Sequence, residues 1–95
     1  MRKPTIHMGG TDAESLAEQA KRARDALAKA LDALTAASPN ARDYYPQGAD
    51  AHIEAAREHT ARLAAVMAVR DEMQAMFEHA MEAVLAREER RNQRR

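Results

Sequence analysis

The sequence predicts an all-α protein: an antiparallel helical hairpin with a short helix one and a long helix two, assembling into an oligomeric helix bundle. Three observations lead there. Apolar residues recur at alternating spacings of three and four in two separate stretches, as they do in helices packed against helices. A segment holding proline, glycine and two tyrosines divides the stretches, and alanine, the strongest helix former, is abundant in both.

At 95 residues the chain is at most one domain, and a hairpin of this size leaves much of its surface wet, which predicts a homo-oligomer. The absence of cysteine excludes disulfides, thiolate metal sites and cysteine nucleophiles, and suits a reducing compartment. Behind Arg2 and Lys3 there is no apolar stretch, and no run is long enough to span a bilayer, so the chain is expected to be soluble with no membrane partner. Fifteen basic and fifteen acidic residues cancel, so any electrostatic partner must be met by a local patch. Residues 1–10 carry +2, 11–37 carry −1, 38–50 carry −1, 51–86 carry −3 and 87–95 carry +3.

Gly9 and Gly10 end an N-terminal extended segment, residues 1–10. Thr11 and Glu14 then stand at the spacing of a capping box, and helix one is expected over about residues 12–37 of a hairpin running from 11 to 86. Its seam is Leu16, Ala20, Ala23, Leu27, Ala30 and Leu34, widened by Leu31, while Glu18 with Arg22, Lys21 with Asp25 and Asp25 with Lys29 form a charged outer face. Pro39 stops the helix, since proline has no amide proton and forces its predecessor out of the α region. After a connection over residues 38–49, helix two is expected from the N-cap Asp50 through residue 86 or further, with 87–95 as a basic helix end or tail. Its stripe is Ile53, Ala56, Thr60, Leu63, Val66 and Met67, Arg70, Met73, Phe77, Ala80 and Val84. Helix two could reach roughly 68 Å against about 39 Å for helix one. Folded back at the connection, helix one would cover it only to about Met76. Phe77, Ala80, Met81, Val84 and Leu85 would then need a second chain, the N-terminal segment, or a break in helix two.

The connection is longer than bundle loops usually are, and it holds two of the three aromatics. Tyr44 and Tyr45 offer stacking faces, Arg42 a planar cation and Gln47 an amide, beside the amides that open helix two. The tyrosines suit either a lid over the hairpin's open end or a recognition surface. His52 and His59 are one heptad apart, too far along a helix to share a metal ion, and no HExxH or ExxH pair occurs; neither metal nor cofactor is expected. With no nucleophile set, phosphate loop or paired carboxylates, enzymatic activity is not expected either. Leu63, Met67, Met73, Met76, Phe77, Met81 and Val84 form a soft apolar face suited to an interface. Arg70 interrupts it, and would meet an acid or hold an anion between subunits. Five arginines in residues 87–95 suit a helix C-terminus through its dipole; with interspersed acids and no aromatics nearby they make a weak nucleic-acid footprint.

The stretch Thr5-Ile-His-Met-Gly-Gly-Thr11, and Pro39-Asn-Ala-Arg-Asp-Tyr-Tyr-Pro-Gln-Gly48 leading to Ala61-Arg-Leu-Ala-Ala65, resemble a group of small helical proteins encoded by bacteriophages and prophages. The arginine-rich end lies outside that pattern. The resemblance implies expression in the cytoplasm of a bacterial host cell, where such proteins bind host components or signalling molecules. It implies no catalytic residue. Two expectations follow: a non-enzymatic oligomer that binds a small, anionic, nucleotide-like ligand through Arg42, Tyr44, Tyr45, Gln47, His52 and Arg70, sequestering a host defence signal; or a protein-interaction module that inhibits a host protein through the methionine-rich face.

Overall fold

The computed structural model describes residues 1–94; Arg95, the last residue of the basic tail, lies outside them. Helix α1 spans Ala13–Ala36 and helix α2 spans Ala51–Gln93, with single 3₁₀ turns at Ala41–Asp43 and Tyr45–Gln47 between them. The described residues contain no strand. The helices pack side by side into a rod of 72 × 21 × 18 Å. Helix α2 is unbroken, as its freedom from Gly and Pro allows.

Helix α1 is capped one residue later than the sequence suggests. Asp12, not Thr11, is the N-cap, and its carboxylate accepts from the Ser15 amide at 2.7 Å. An ionised carboxylate is a stronger acceptor than a hydroxyl and is favoured at the positive end of the helix dipole. The Ser15 amide, then the Ser15 hydroxyl and the charge of Arg87, hold the Asp12 carboxyl below its ordinary value of 3.8. At the other helix start Asp50 occupies the N-cap position but makes no side-chain capping bond. Gly48, just before it, has φ +114°, a conformation that a side chain would strain. Among the outer-face pairs, Glu18 meets Arg22 at 3.0 Å, whereas Asp25 is taken by its neighbour Arg24, also at 3.0 Å.

The seam of α1 is rotated from the expected one. Ala13, Ala17, Ala20 and Leu31 are buried, with Arg24, Leu27 and Leu34 completing a four-three repeat, while Ala30 is exposed. On α2 the expected stripe holds from Leu63 to Val84, through Val66 but not the exposed Met67, and fails before Leu63. Ala55 and His59 are buried there, whereas Ile53 and Thr60 are exposed. The cause is His59, whose Nε2 donates to the Leu34 carbonyl at 2.6 Å and so turns that face of α2 toward α1.

The register also differs from a hairpin folded back at its connection. Leu34 lies at His59, Arg24 at Gln74 and Glu14 at Arg87. The last turn of α1 therefore sits about two turns into α2, and α1 covers α2 as far as Arg87. The expected overhang past Met76 is largely covered within the chain: Ala80 is 1% exposed and Val84 8%, Phe77 and Met81 are half-buried, and Leu85 stays exposed at 58%. The physical reason is the long connection, which climbs beside the first turns of α2 instead of reversing tightly. Residues 1–10 form a strap over the other end, where His79 Nε2 donates to the Pro4 carbonyl at 2.7 Å.

Leu31 is the one leucine buried among the described residues, so Leu31→Ala should lower unfolding free energy by about 2–4 kcal/mol in urea titration. The Asp12 carboxyl is depressed in the folded chain, so its stabilisation is complete above its ordinary value of 3.8 and fades as pH falls through the lowered one. The protection of the Ser15 amide, taken relative to its intrinsic exchange rate at each pH, should therefore fall at acidic pH, and Asp12→Ala should remove that fall.

Candidate functional site: the loop cavity, the cross-helix clamps and the strap cavity

Asn40 caps the first 3₁₀ turn of the connection, its side chain accepting from the Arg42 amide at 3.2 Å, and this turn places Tyr44 against α2. The Tyr44 ring lies 6.3 Å from that of His52, tilted by 47°. Tyr44 and Gln47 face Glu54, Ala55, Glu58 and Arg62 across a cavity of about 190 Å³. Of the six expected ligand residues, the fold thus gathers Tyr44, Gln47 and His52. Tyr45 points away and is 76% exposed, and Arg42 is exposed outside the cavity. Arg70 lies about 27 Å along α2 from His52 and bonds its neighbour Asp71 at 3.3 Å. Two carboxylates against one guanidinium make the cavity wall net negative, so it suits a neutral or cationic hydrogen-bonding group better than a phosphate. The loop acts as a lid through Tyr44 alone.

Beyond the lid, three polar contacts cross between the helices. The His59 ring, 6% exposed, donates through Nε2 to Leu34 and presents Nδ1 to the Arg62 guanidinium at 3.5 Å. Both partners are met by a ring that donates from Nε2 and accepts at Nδ1. Helix α1 has no basic residue in its last turn, and His59 adds a side-chain donor to the Leu34 carbonyl, which also accepts from the Ala37 amide at 3.1 Å. In mid-hairpin the Arg24 guanidinium donates to Gln74 Oε1 at 2.8 Å, and Gln74 Nε2 donates on to Glu78 at 2.9 Å. The same guanidinium stands 5.1 Å from the centre of the Phe77 ring, a cation–π contact. At the far end Arg87 pairs with Glu14. Arg24 and Gln74 were not anticipated, because an arginine breaks the apolar count at a seam position; the run Ala20, Arg24, Leu27, Leu31 and Leu34 carried the signal.

The expected interface residues divide. Met73, Met76, Phe77 and Leu63 are half-buried and Val84 is buried within the chain, so much of that face is used internally; Met67 remains 43% exposed. Met73 and Met76, with Leu16 and Ala20 of α1, floor a second cavity of about 360 Å³ roofed by Pro4 of the strap and bordered by Arg2 and Lys3. In the basic end, Arg87, Arg90, Arg91 and Arg94 share one face of α2. Among the described residues no three His, Asp or Glu side chains converge as metal ligands, and no helix is long and apolar enough to cross a membrane. Comparisons with protein-family models, with curated proteins and with solved structures find no match for this chain.

Removing the His59 ring takes the shorter of two hydrogen bonds from the Leu34 carbonyl, leaving only the Ala37 amide, and empties a buried position in the seam. His59→Ala should lower stability by about 1–3 kcal/mol in thermal or urea melts, whereas Tyr45→Ala should stay within about 0.5 kcal/mol.

Proposed function

We propose that the chain is a non-enzymatic helical binding protein that works as an antiparallel dimer of hairpins, a four-helix bundle. The observation that carries this reading is its surface. The hairpin exposes 7228 Å², where a compact monomer of 10.6 kDa would expose about 5,500 Å². The excess, roughly 1,700 Å², exceeds the ~800 Å² that a standard interface takes from each partner. Among the described residues no large side chain is fully buried in the single hairpin.

A second seam on α2 supports the same reading. Ile53, Arg57, Thr60, Ala64, Met67, Asp71, Gln74, Glu78, Met81 and Leu85 follow a continuous four-three repeat on the flank away from the strap. Exposed Ile53, Met67 and Leu85 mark its two ends and its middle. The pattern is self-complementary when run antiparallel: Ile53 of one copy falls opposite Leu85 of the other, the Met67 side chains lie near the axis, and Arg57 falls beside Glu78. A two-fold interface requires such self-complementarity. The resemblance to phage- and prophage-encoded proteins supports a bacterial host cell as the setting.

Sedimentation equilibrium should give twice the chain mass, and Met67→Glu should give a single chain mass with helicity retained by circular dichroism. The protein has no cysteine, so the double variant Ile53→Cys, Leu85→Cys can be read cleanly. The two positions stand about 48 Å apart on one helix, so oxidation can link them only between chains, and a covalent dimer is expected. A monomer at every concentration, or a dimer indifferent to Met67→Glu, would overturn the proposal.

A further inference from the structure

We propose that the cavity under the N-terminal strap binds a single-chain amphiphile with an anionic head, its acyl chain seated on Leu16, Ala20, Met73 and Met76 and its carboxylate paired with Arg2 and Lys3. The cavity's volume, about 360 Å³, falls within the range of small-molecule sites, about 300–1,000 Å³. Its floor is mostly apolar side chain from both helices, with Gln19 beside it, and an open groove of this kind gains by exchanging water for an apolar guest. Two of the four floor residues are methionines, whose unbranched side chains adapt to a guest's shape.

The charges at the mouth select the head group. Arg2 and Lys3 border the cavity and no carboxylate does. Among the described residues neither cation forms an ion pair; the ion pairs involve Arg22, Arg24, Arg62, Arg70 and Arg87. Two unpaired cations at the rim of an apolar slot complement a carboxylate followed by a hydrocarbon chain. The loop cavity is the internal contrast, since Glu54 and Glu58 line it. Entry needs no unfolding of either helix. One hydrogen bond, His79 to Pro4, ties the strap to α2, and Gly9 and Gly10 end the strap before α1.

The site belongs to each hairpin separately, on the flank of α2 opposite the second seam, so it stands whether or not the dimer does. Calorimetric titration of the full chain with decanoate below its micelle concentration should show one ligand bound per chain. Decyltrimethylammonium, equal in tail and opposite in charge, should bind at least about tenfold more weakly. The double variant Arg2→Gln, Lys3→Gln should weaken decanoate by about tenfold and leave decanol within about twofold. Met76→Trp, which fills the floor, should abolish binding of both, with circular dichroism confirming the fold. Equal affinity for the two charged amphiphiles would overturn the proposal, as would decanoate binding unchanged in the double variant. So would retention on phosphatidylglycerol vesicles without binding of monomeric decanoate, which would make the strap a membrane-surface contact.

Discussion

The register of α1 on α2 is the constraint on which the rest of this structure depends. A seam built mainly of alanine packs closely but carries little information, because sliding by one heptad sets small side chains against small side chains again. Here Ala13, Ala17, Ala20, Ala55 and Ala80 are among the buried residues. The polar contacts His59 to Leu34, Arg24 to Gln74 and Arg87 to Glu14 hold α1 at its C-terminus, middle and N-terminus. Although His52 and Arg94 stand one heptad from His59 and Arg87, a one-heptad slip in either direction sets Arg24 against Met67 or Met81 and breaks at least two of the three.

That register determines what each end of the rod can do. Because α1 stops beside His59, the first turns of α2 are left to the connection, and Tyr44 and Gln47 meet Glu54 and Glu58 there. Because α1 reaches Arg87, the strap that precedes it returns along the groove past His79 and roofs Met73 and Met76. Both cavities are products of the offset between the helices. The thin core has the same origin: two helices share one narrow seam of small residues, and no third helix covers their flanks within the chain.

The helical class and the pairing of a short with a long helix were legible in the sequence, because apolar periodicity and the Pro39 stop depend on local geometry. The seam of α1 was harder to read. Leu16, Ala23 and Ala30 form as good a repeat as Ala17, Arg24 and Leu31, and the choice rests on Arg24 bonding Gln74 across the interface, a partnership fifty positions apart in the chain. The coverage of Ala80 and Val84 failed for a related reason, since it depends on the path of the connection and not on its length. Tyr44, Gln47 and His52 could be grouped from sequence proximity alone. Arg70 could not be assigned, because a cation on a helical seam looks alike whether it meets a neighbour on its own helix, as it meets Asp71, or a distant loop. The strap cavity was invisible, since nothing local in residues 1–10 says which side chains they will roof.

The rod's length changes what its zero net charge means. Electrostatic influence in physiological salt decays over about 8 Å, whereas the molecule is 72 Å long, so its two ends do not sense each other's charge. At one end Asp43, Asp50, Glu54 and Glu58 outnumber Arg42, Arg57 and Arg62; toward the other, Arg2 and Lys3 of the strap add to a half of α2 whose Arg87, Arg90, Arg91 and Arg94 balance its glutamates. An approaching molecule therefore meets a slight excess of acid at one end and of base at the other. Added salt would weaken attraction at both ends while leaving the molecule's titrated net charge near zero.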